Sequence, residues 1–195
     1  MRLSLLYPEP DTMDSPDFSA LLADARAGHE TAFTVLFRTV QPGLLRYLRV
    51  VAGQQAEDVA AETWVQVVRD LASFTGDEAA FRAWVYAIAR HRFLDARRAS
   101  ARRPETLVSE PEAPDAAPDA ATVAEEMFST ERAVALVASL PADQAEVVML
   151  RVVAGLDVAT VASVTGRTAN HVRVLSHRGL RRLAHVLGEA RTAPL

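Results

Sequence analysis

The sequence predicts an all-α protein, built as two small helical domains joined by a flexible acidic, proline-rich linker. Three observations predict this fold class. Apolar residues recur at spacings of three and four over most of the chain, the period of a helix with one buried face. Residues 104–126 break that period, with Pro104, Pro111, Pro114 and Pro118 set among seven acidic side chains and no arginine. The composition is 50% hydrophobic but only 6% aromatic, which favours helices packed through small side chains. A length of 195 residues allows one medium domain or two small ones.

Taken in chain order, residues 1–16 carry Pro8, Pro10 and Pro16 without a sustained period and read as a flexible N-terminal extension. Phe18, Leu21 and Leu22 open a short helix that ends near Gly28. Phe33, Leu36, Phe37, Val40, Leu44 and Leu48 form one apolar stripe, and Pro42-Gly43 within it predicts a kink or break. The next helix spans about Ala56 to Ser73, with Val59, Trp64, Val67, Val68 and Leu71 as its apolar positions and Glu57, Asp58, Glu62 and Asp70 along it. Phe74 to Glu78 reads as a loop. A helix from about Ala79 to Arg98 follows, with Phe81, Trp84, Val85, Ile88 and Phe93 as core positions. The first domain is thus expected at 17–100, the linker at 101–128 and the second domain at 129–195.

Helical periodicity restarts at Glu131. Val134, Leu136, Val137 and Leu140 make one helix, stopped by Pro141; Val147, Val148, Leu150, Val152 and Val153 make another, closed by Gly155. A short helix over Asp157–Val164, a turn at Thr165-Gly166-Arg167 and a long helix from Thr168 to about Ala190 complete the chain. This last pair carries the marks of a helix-turn-helix. Ala162 is small where the second helix must cross, Gly166 four residues on tolerates positive φ, Thr168 can cap, and Val172 and Leu175 anchor the inner face. The outer face offers Asn170, His171, Arg173, His177, Arg178, Arg181 and Arg182. Asn and Arg at the N-terminal turns of such a helix read base edges in the major groove, and later arginines meet phosphates. A plain helical hairpin with a solvated basic face would show fewer of these marks together.

The net charge of −4 argues against nucleic acid only as an average. Every cationic side chain other than histidine is arginine, which suits phosphates and base edges better than lysine does. From Arg82 to Arg103 seven arginines, including Arg90, Arg92, Arg97 and Arg98, face one acid, Asp95. Phe81, Trp84, Tyr86 and Phe93 are interleaved with them, a composition suited to single-stranded DNA, although the spacing of Phe81 and Trp84 favours burial over stacking.

The runs Ala56-Glu57-Asp58-Val59, Glu62-Thr63-Trp64, Phe81 through Arg90 and Asp95-Ala96-Arg97-Arg98 resemble the first conserved domain of bacterial RNA polymerase sigma factors. Leu140-Pro141, Gly155-Leu156, Gly166-Arg167-Thr168 and His177 through Leu183 resemble their last domain. Two helical domains and one linker are similar to the small extracytoplasmic-function (ECF) group. The resemblance implies that Asp58, Glu62, Gln66 and Arg69 dock on the β′ coiled coil of core RNA polymerase. It implies that Phe74, Thr75, Asp77, Arg82, Arg90, His91, Arg97 and Arg98 capture the −10 element, with one base flipped out of the stack. Arg167, Thr168, Asn170, His171, Arg173, His177, Arg178 and Arg181 would read the −35 element, and apolar parts of the last domain would touch the β flap. It further implies an anti-sigma factor or other regulator as a partner. Thr160-Val161 and Asn170-His171 depart from the commoner residues of the group.

Other chemistries lack support. Without cysteine there is neither a disulfide framework nor a thiolate metal site. His29, His91, His171, His177 and His185 form no HExxH pattern, so no metal is expected. The acidic residues of the Glu57–Glu62 stretch accompany no nucleophile or glycine-rich loop, so neither catalysis nor a cofactor is expected. No apolar run approaches the ~20 residues that span a bilayer, and no signal peptide is read, so a cytoplasmic protein without membrane insertion is expected. A stand-alone helix-turn-helix regulator, or a polymerase-binding adaptor that does not initiate, are the alternatives.

Overall fold

The structure is a computed structural model that describes residues 16–102 and 121–192. Eight helices are present among the described residues, and no strand. The expected N-terminal extension falls, up to residue 15, outside the described residues, as does the linker at 103–120.

Helix α1 (Pro16–Arg26) leads through a turn at Gly28 into α2 (Glu30–Val51). Helix α2 crosses Pro42 and continues, so the break expected at Pro42-Gly43 is absent. The proline removes one i→i−4 bond, but the apolar face buries residues on both sides of it: Leu36, Val40, Leu44, Tyr47 and Leu48 are all below 6% exposed. Tertiary packing therefore carries the helix across. Gly43 is needed for a different reason. A Cβ there would stand 2.7 Å from the Tyr86 hydroxyl of α4, so the close approach of α2 and α4 admits no side chain.

Helix α3 (Ala56–Asp70) ends in a 3₁₀ turn over Leu71–Ser73, close to the span read from the sequence. Its Val59, Trp64 and Val67 are buried, with Trp64 edge-on to Phe33 and tilted against Phe37 at 4.8 Å. The Trp64 indole donates to Gln41 Oε1 at 2.6 Å, which satisfies its N–H in the core. Val68, expected inside, is instead 58% exposed beside Val65 at 60%. Of the adjacent pair Val67-Val68, only Val67 lies on the arc shared with Val59, Ala60, Thr63 and Trp64, because neighbouring residues are ~100° apart on a helix.

Helix α4 (Glu78–Arg102) is capped by Asp77, whose Oδ1 accepts from the Ala80 amide at 2.7 Å. Phe81 and Val85 are buried as expected; Tyr86 and Ala89 are buried too, while Trp84, Ile88 and Phe93 are half-buried at the core's edge. Trp84 stacks on Phe74 at 4.8 Å between ring centroids, and Phe74 meets Phe81 edge-on at 5.6 Å.

Helix α5 (Ala121–Ala138) begins inside the stretch expected to be extended. The last linker proline is Pro118, and from Ala121 alanine, glutamate and methionine, all strong helix formers, take over. The acidic composition masked that change. Helix α6 (Ala142–Val148) starts at Pro141 and runs into a π-helical turn over Met149–Val153, which closes at Gly155 with φ 67°. Helices α7 (Val158–Thr165) and α8 (Ala169–Thr192) complete the fold.

The two helical domains are in contact. Helix α2 packs against α5, α6 and the π turn, and α4 packs against α7. One apolar core runs from Phe18 and Leu22 through Leu44, Val67 and Phe81 to Val147, Leu150, Val161, Val172 and Leu175. A small satellite of Leu140, Ala145 and Val148 sits under α8 and Leu183.

Candidate nucleic-acid interface

The C-terminal pair folds as its residues require. Asp157 caps α7, its Oδ1 accepting from the Thr160 amide at 2.7 Å; these amide bonds hold the carboxyl below the usual aspartate range. The buried Thr165 hydroxyl donates to the Val161 carbonyl at 2.7 Å. Gly166 takes φ 67°, ψ 27°, and the Arg167 amide returns to the Ala162 carbonyl at 2.9 Å, so the chain leaves α7 in a left-handed cap. Thr168 Oγ1 accepts from the His171 amide at 3.2 Å and starts α8. Val172 is fully buried and Leu175 is 7% exposed, which fixes the inner face of α8. Thr168, Asn170, His171, Arg173, His177, Arg178 and Arg181 are consequently all exposed on the outer arc.

Arg167 behaves differently. Its side chain is 19% exposed, and its guanidinium pairs with Asp143 of α6 at 2.6 Å. Glu146 Oε2 lies 4.0 Å away, and Arg167 Nε is buried without a hydrogen-bond partner. Arg182 reaches Gln144 on the same helix at 3.2 Å. Helices α6 and α8 approach so closely that a Cβ on Gly179 would stand 2.7 Å from a Val148 methyl.

In the first domain the candidate −10 residues divide in two. Thr75, Asp77, His91, Arg97 and Arg98 are exposed, with His91 and Arg98 both paired to Asp95. Phe74 is half-buried against Trp84 and Phe81, so it holds the loop to α4. Asp77 already serves as the α4 cap. Arg82 is paired with Glu78, and Arg90 Nε donates to Glu146 of α6 at 2.8 Å. These two arginines face the second domain: a Cβ on Gly155 would stand 3.6 Å from an Arg82 guanidinium nitrogen.

The exposed arc of α3 carries Asp58, Glu62 and Arg69 together with Val65 and Val68. Sequence reasoning missed the two valines as surface residues. Their signal was present, because Val65 and Val68 fall on the arc of Asp58 and Glu62 at helical spacing. Gln66, nominated with the acidic residues, is instead tied into the groove between α3 and α4, where it donates to Asp70 and accepts from Arg92. Among the described residues no group of three or more metal-ligating side chains occurs, and no helix is long and apolar enough to cross a membrane.

Comparison with known proteins follows the same division. Residues 36–103 match the family model of sigma-70 region 2, and residues 130–183 match that of sigma-70 region 4. The chain is 34% identical over 181 residues to the ECF RNA polymerase sigma factor SigD of Mycobacterium tuberculosis, covering 88% of this chain and 84% of the relative. It is 36% identical over 176 residues to the ECF RNA polymerase sigma factor ShbA of Streptomyces griseus, covering 84% and 89%. Among solved structures, CnrH in complex with the cytosolic domain of CnrY aligns with a TM-score of 0.59 at 21% identity, over 88% of this chain and 97% of that one. The sigma factor RpoE of Bartonella quintana, bound to the anti-sigma factor NepR, aligns at 0.58 and 20%, over 80% and 96%; at these identities the likeness is one of fold. Both family models and both relatives agree with the helix-turn-helix geometry and the basic α4: the chain belongs to the ECF RNA polymerase sigma factors.

Proposed function

We propose that the chain directs transcription initiation by docking on core RNA polymerase through α3, reading the −35 element as duplex with α8, and holding the opened −10 strand against α4. The observation that carries this reading is the outer arc of α8. Asn170, His171, Arg173, His177, Arg178 and Arg181 share one exposed face above a buried Val172–Leu175 seam, as a major-groove helix requires. The exposed Val65 and Val68, ringed by Asp58, Glu62 and Arg69, suit a protein partner better than water, and the β′ coiled coil is the partner the family resemblance names. Thr75, His91, Arg97 and Arg98 are the exposed candidate groups left for the −10 strand; Arg82 and Arg90 join them once their present carboxylate partners are displaced. Apolar side chains on the outside of α8, Leu180 and Val186 among them, are available to the β flap.

In this reading the chain has no catalysis of its own and works in the cytoplasm, where polymerase and promoters are. A protein inhibitor that covers the same faces fits the reading; RpoE is itself found in complex with the anti-sigma factor NepR. The test is transcription by core enzyme plus this chain on a pool of promoters from the source genome. Specific initiation that depends on the chain is the expected result. A chain that binds promoter duplex tightly and specifically without core enzyme would instead be a stand-alone regulator. One that binds core enzyme and never initiates would be an adaptor.

A further inference from the structure

Among the described residues, the contact between the two domains carries a buried ion pair within a largely apolar seam. Glu146 of α6 is 9% exposed as a residue, and its Oε1 accepts from Arg90 Nε of α4 at 2.8 Å; the two side chains are 11% and 19% exposed. Around the pair lie Tyr47 of α2 and Tyr86 of α4, both about 1% exposed or less, with rings 5.4 Å apart. The Tyr47 hydroxyl is buried beside Glu146, and burial, followed by the Glu146 charge, pushes it well above the ordinary tyrosine range. Arg90 therefore has its guanidinium turned into the domain contact.

This contact is incompatible with the function proposed above, on which the inference rests. Elements centred near −35 and −10 are separated by ~25 base pairs, or ~85 Å at 3.4 Å per base pair. In the structure α4 touches α7 and α7 touches α8. From the middle of α4 to the middle of the Thr168–Arg181 stretch, two helix-packing steps of ~8–10 Å each, with half of α4, the length of α7 and the farther part of α8 at ~1.5 Å per residue, reach no more than ~76 Å. The helices meant for the two elements cannot both sit on one promoter until the domains part.

We propose that the Arg90–Glu146 pair is an interdomain latch that holds this sigma factor closed, with α7 covering the strand-capturing helix, and that breaking it is a required step in engaging the promoter. A buried pair suits a latch because removing either partner strands the other charge, whereas an exposed pair would contribute little. Release is built in. Arg167 travels with Glu146 in the second domain and lies 4.0 Å from its other oxygen, so the carboxylate keeps one cation when Arg90 leaves.

The chain has no cysteine, so a spin-label pair at Gln54→Cys and Ser163→Cys, both exposed and one on each domain, reports the domain separation in the full-length protein. Pulsed dipolar distances should show one short population in the otherwise unchanged chain. Arg90→Met, which leaves Glu146 with only the long contact to Arg167 at 4.0 Å, and Glu146→Leu, which strands Arg90, should each raise the separated population, Glu146→Leu at least about tenfold. The double variant should return to within about twofold of the starting distribution, because an apolar pair replaces the lock without a stranded charge. Circular dichroism of each variant confirms that the helices persist. Single variants that stay as closed as the parent, or a double variant as open as the singles, would overturn the latch. The measurement contains neither DNA nor polymerase. A chain whose distances respond as stated but which never initiates with core enzyme would remove the functional reading and leave the closed lock in place.

Discussion

Replacing Gly179 with alanine sets two known effects against each other in the helix that carries the reading face. Alanine is favoured over glycine by ~1 kcal/mol in a helix interior. At position 179, however, the added Cβ would lie 2.7 Å from Val148 Cγ2 and 3.5 Å from both Gln144 Cβ and Leu140 Cδ1. The nearest contact is about 1 Å inside an ordinary carbon–carbon separation of ~3.5–4.0 Å. The obstacle is a β-branched side chain, 3% exposed and held by Leu140 and Ala145, which has little room to turn. Overpacking of this kind costs ~1–3 kcal/mol, so the net effect is a loss of up to ~2 kcal/mol. Gly188 supplies the control. It lies in the same helix and its Cβ would meet nothing within 4 Å, so Gly188→Ala should be stabilising by up to ~1 kcal/mol. Thermal unfolding of the full chain separates them: at about 2–4 °C per kcal/mol for this size, the two variants should differ by several degrees with opposite sign. Val148→Ala added to Gly179→Ala should recover part of the loss. If Gly179→Ala raises the melting temperature as much as Gly188→Ala does, helices α6 and α8 are not in the close contact on which the placement of the reading helix depends.

Other perturbations have equally definite outcomes. Arg173→Ala removes an exposed candidate base contact and should weaken −35 recognition by ~1–3 kcal/mol, read as relaxed sequence preference in promoter-binding competition; unchanged selectivity would take Arg173 out of the reading set. Asp58→Arg and Val65→Asp alter the exposed arc of α3 without touching its buried face, so both should impair co-migration with core polymerase while melting as the parent does. Wild-type affinity for core enzyme in both would move the docking surface elsewhere. Alkaline pH should loosen the contact between the domains. The Tyr47 hydroxyl is raised in the fold, so the stability tied to its neutral form is present below the ordinary tyrosine value, near 10, and is lost as pH rises from there through the raised one. Tyr47→Phe should flatten that alkaline decline in a stability–pH profile. Asp157 runs the other way: its lowered value stabilises α7 above the ordinary aspartate range and is lost as pH falls through the lowered one, a decline that Asp157→Ala should abolish.

The helix-turn-helix could be read from the amino acids because each of its marks is local. Ala162, Gly166, Thr168, Val172 and Leu175 span fourteen consecutive positions, and backbone geometry alone gives each its role as small crossing residue, left-handed cap, hydroxyl cap or anchor at helical spacing. The exposed reading face then followed by exclusion. Helix α2 shows where such reading stops. Pro42 argues locally for a break, and only burial of the flanking Val40, Leu44 and Leu48 against other helices overrides it. Val68 shares the hydrophobicity of Val67, and its place on the arc of Asp58 and Glu62 is what sets it outside.

Nothing along the chain pairs Arg90 with Glu146. They are 56 positions apart on opposite sides of the linker, and both belong to types normally found in water. The same holds for Gly43, required by the hydroxyl of Tyr86, and for the pairing of Arg167, which the family resemblance puts at the −35 element, with Asp143. Helical period, capping and turn chemistry act within a few residues, so they are written into short stretches of sequence. Burial of charge, close helix approach and the meeting of two domains are set by distances through space, and become definite only when remote segments are folded against one another.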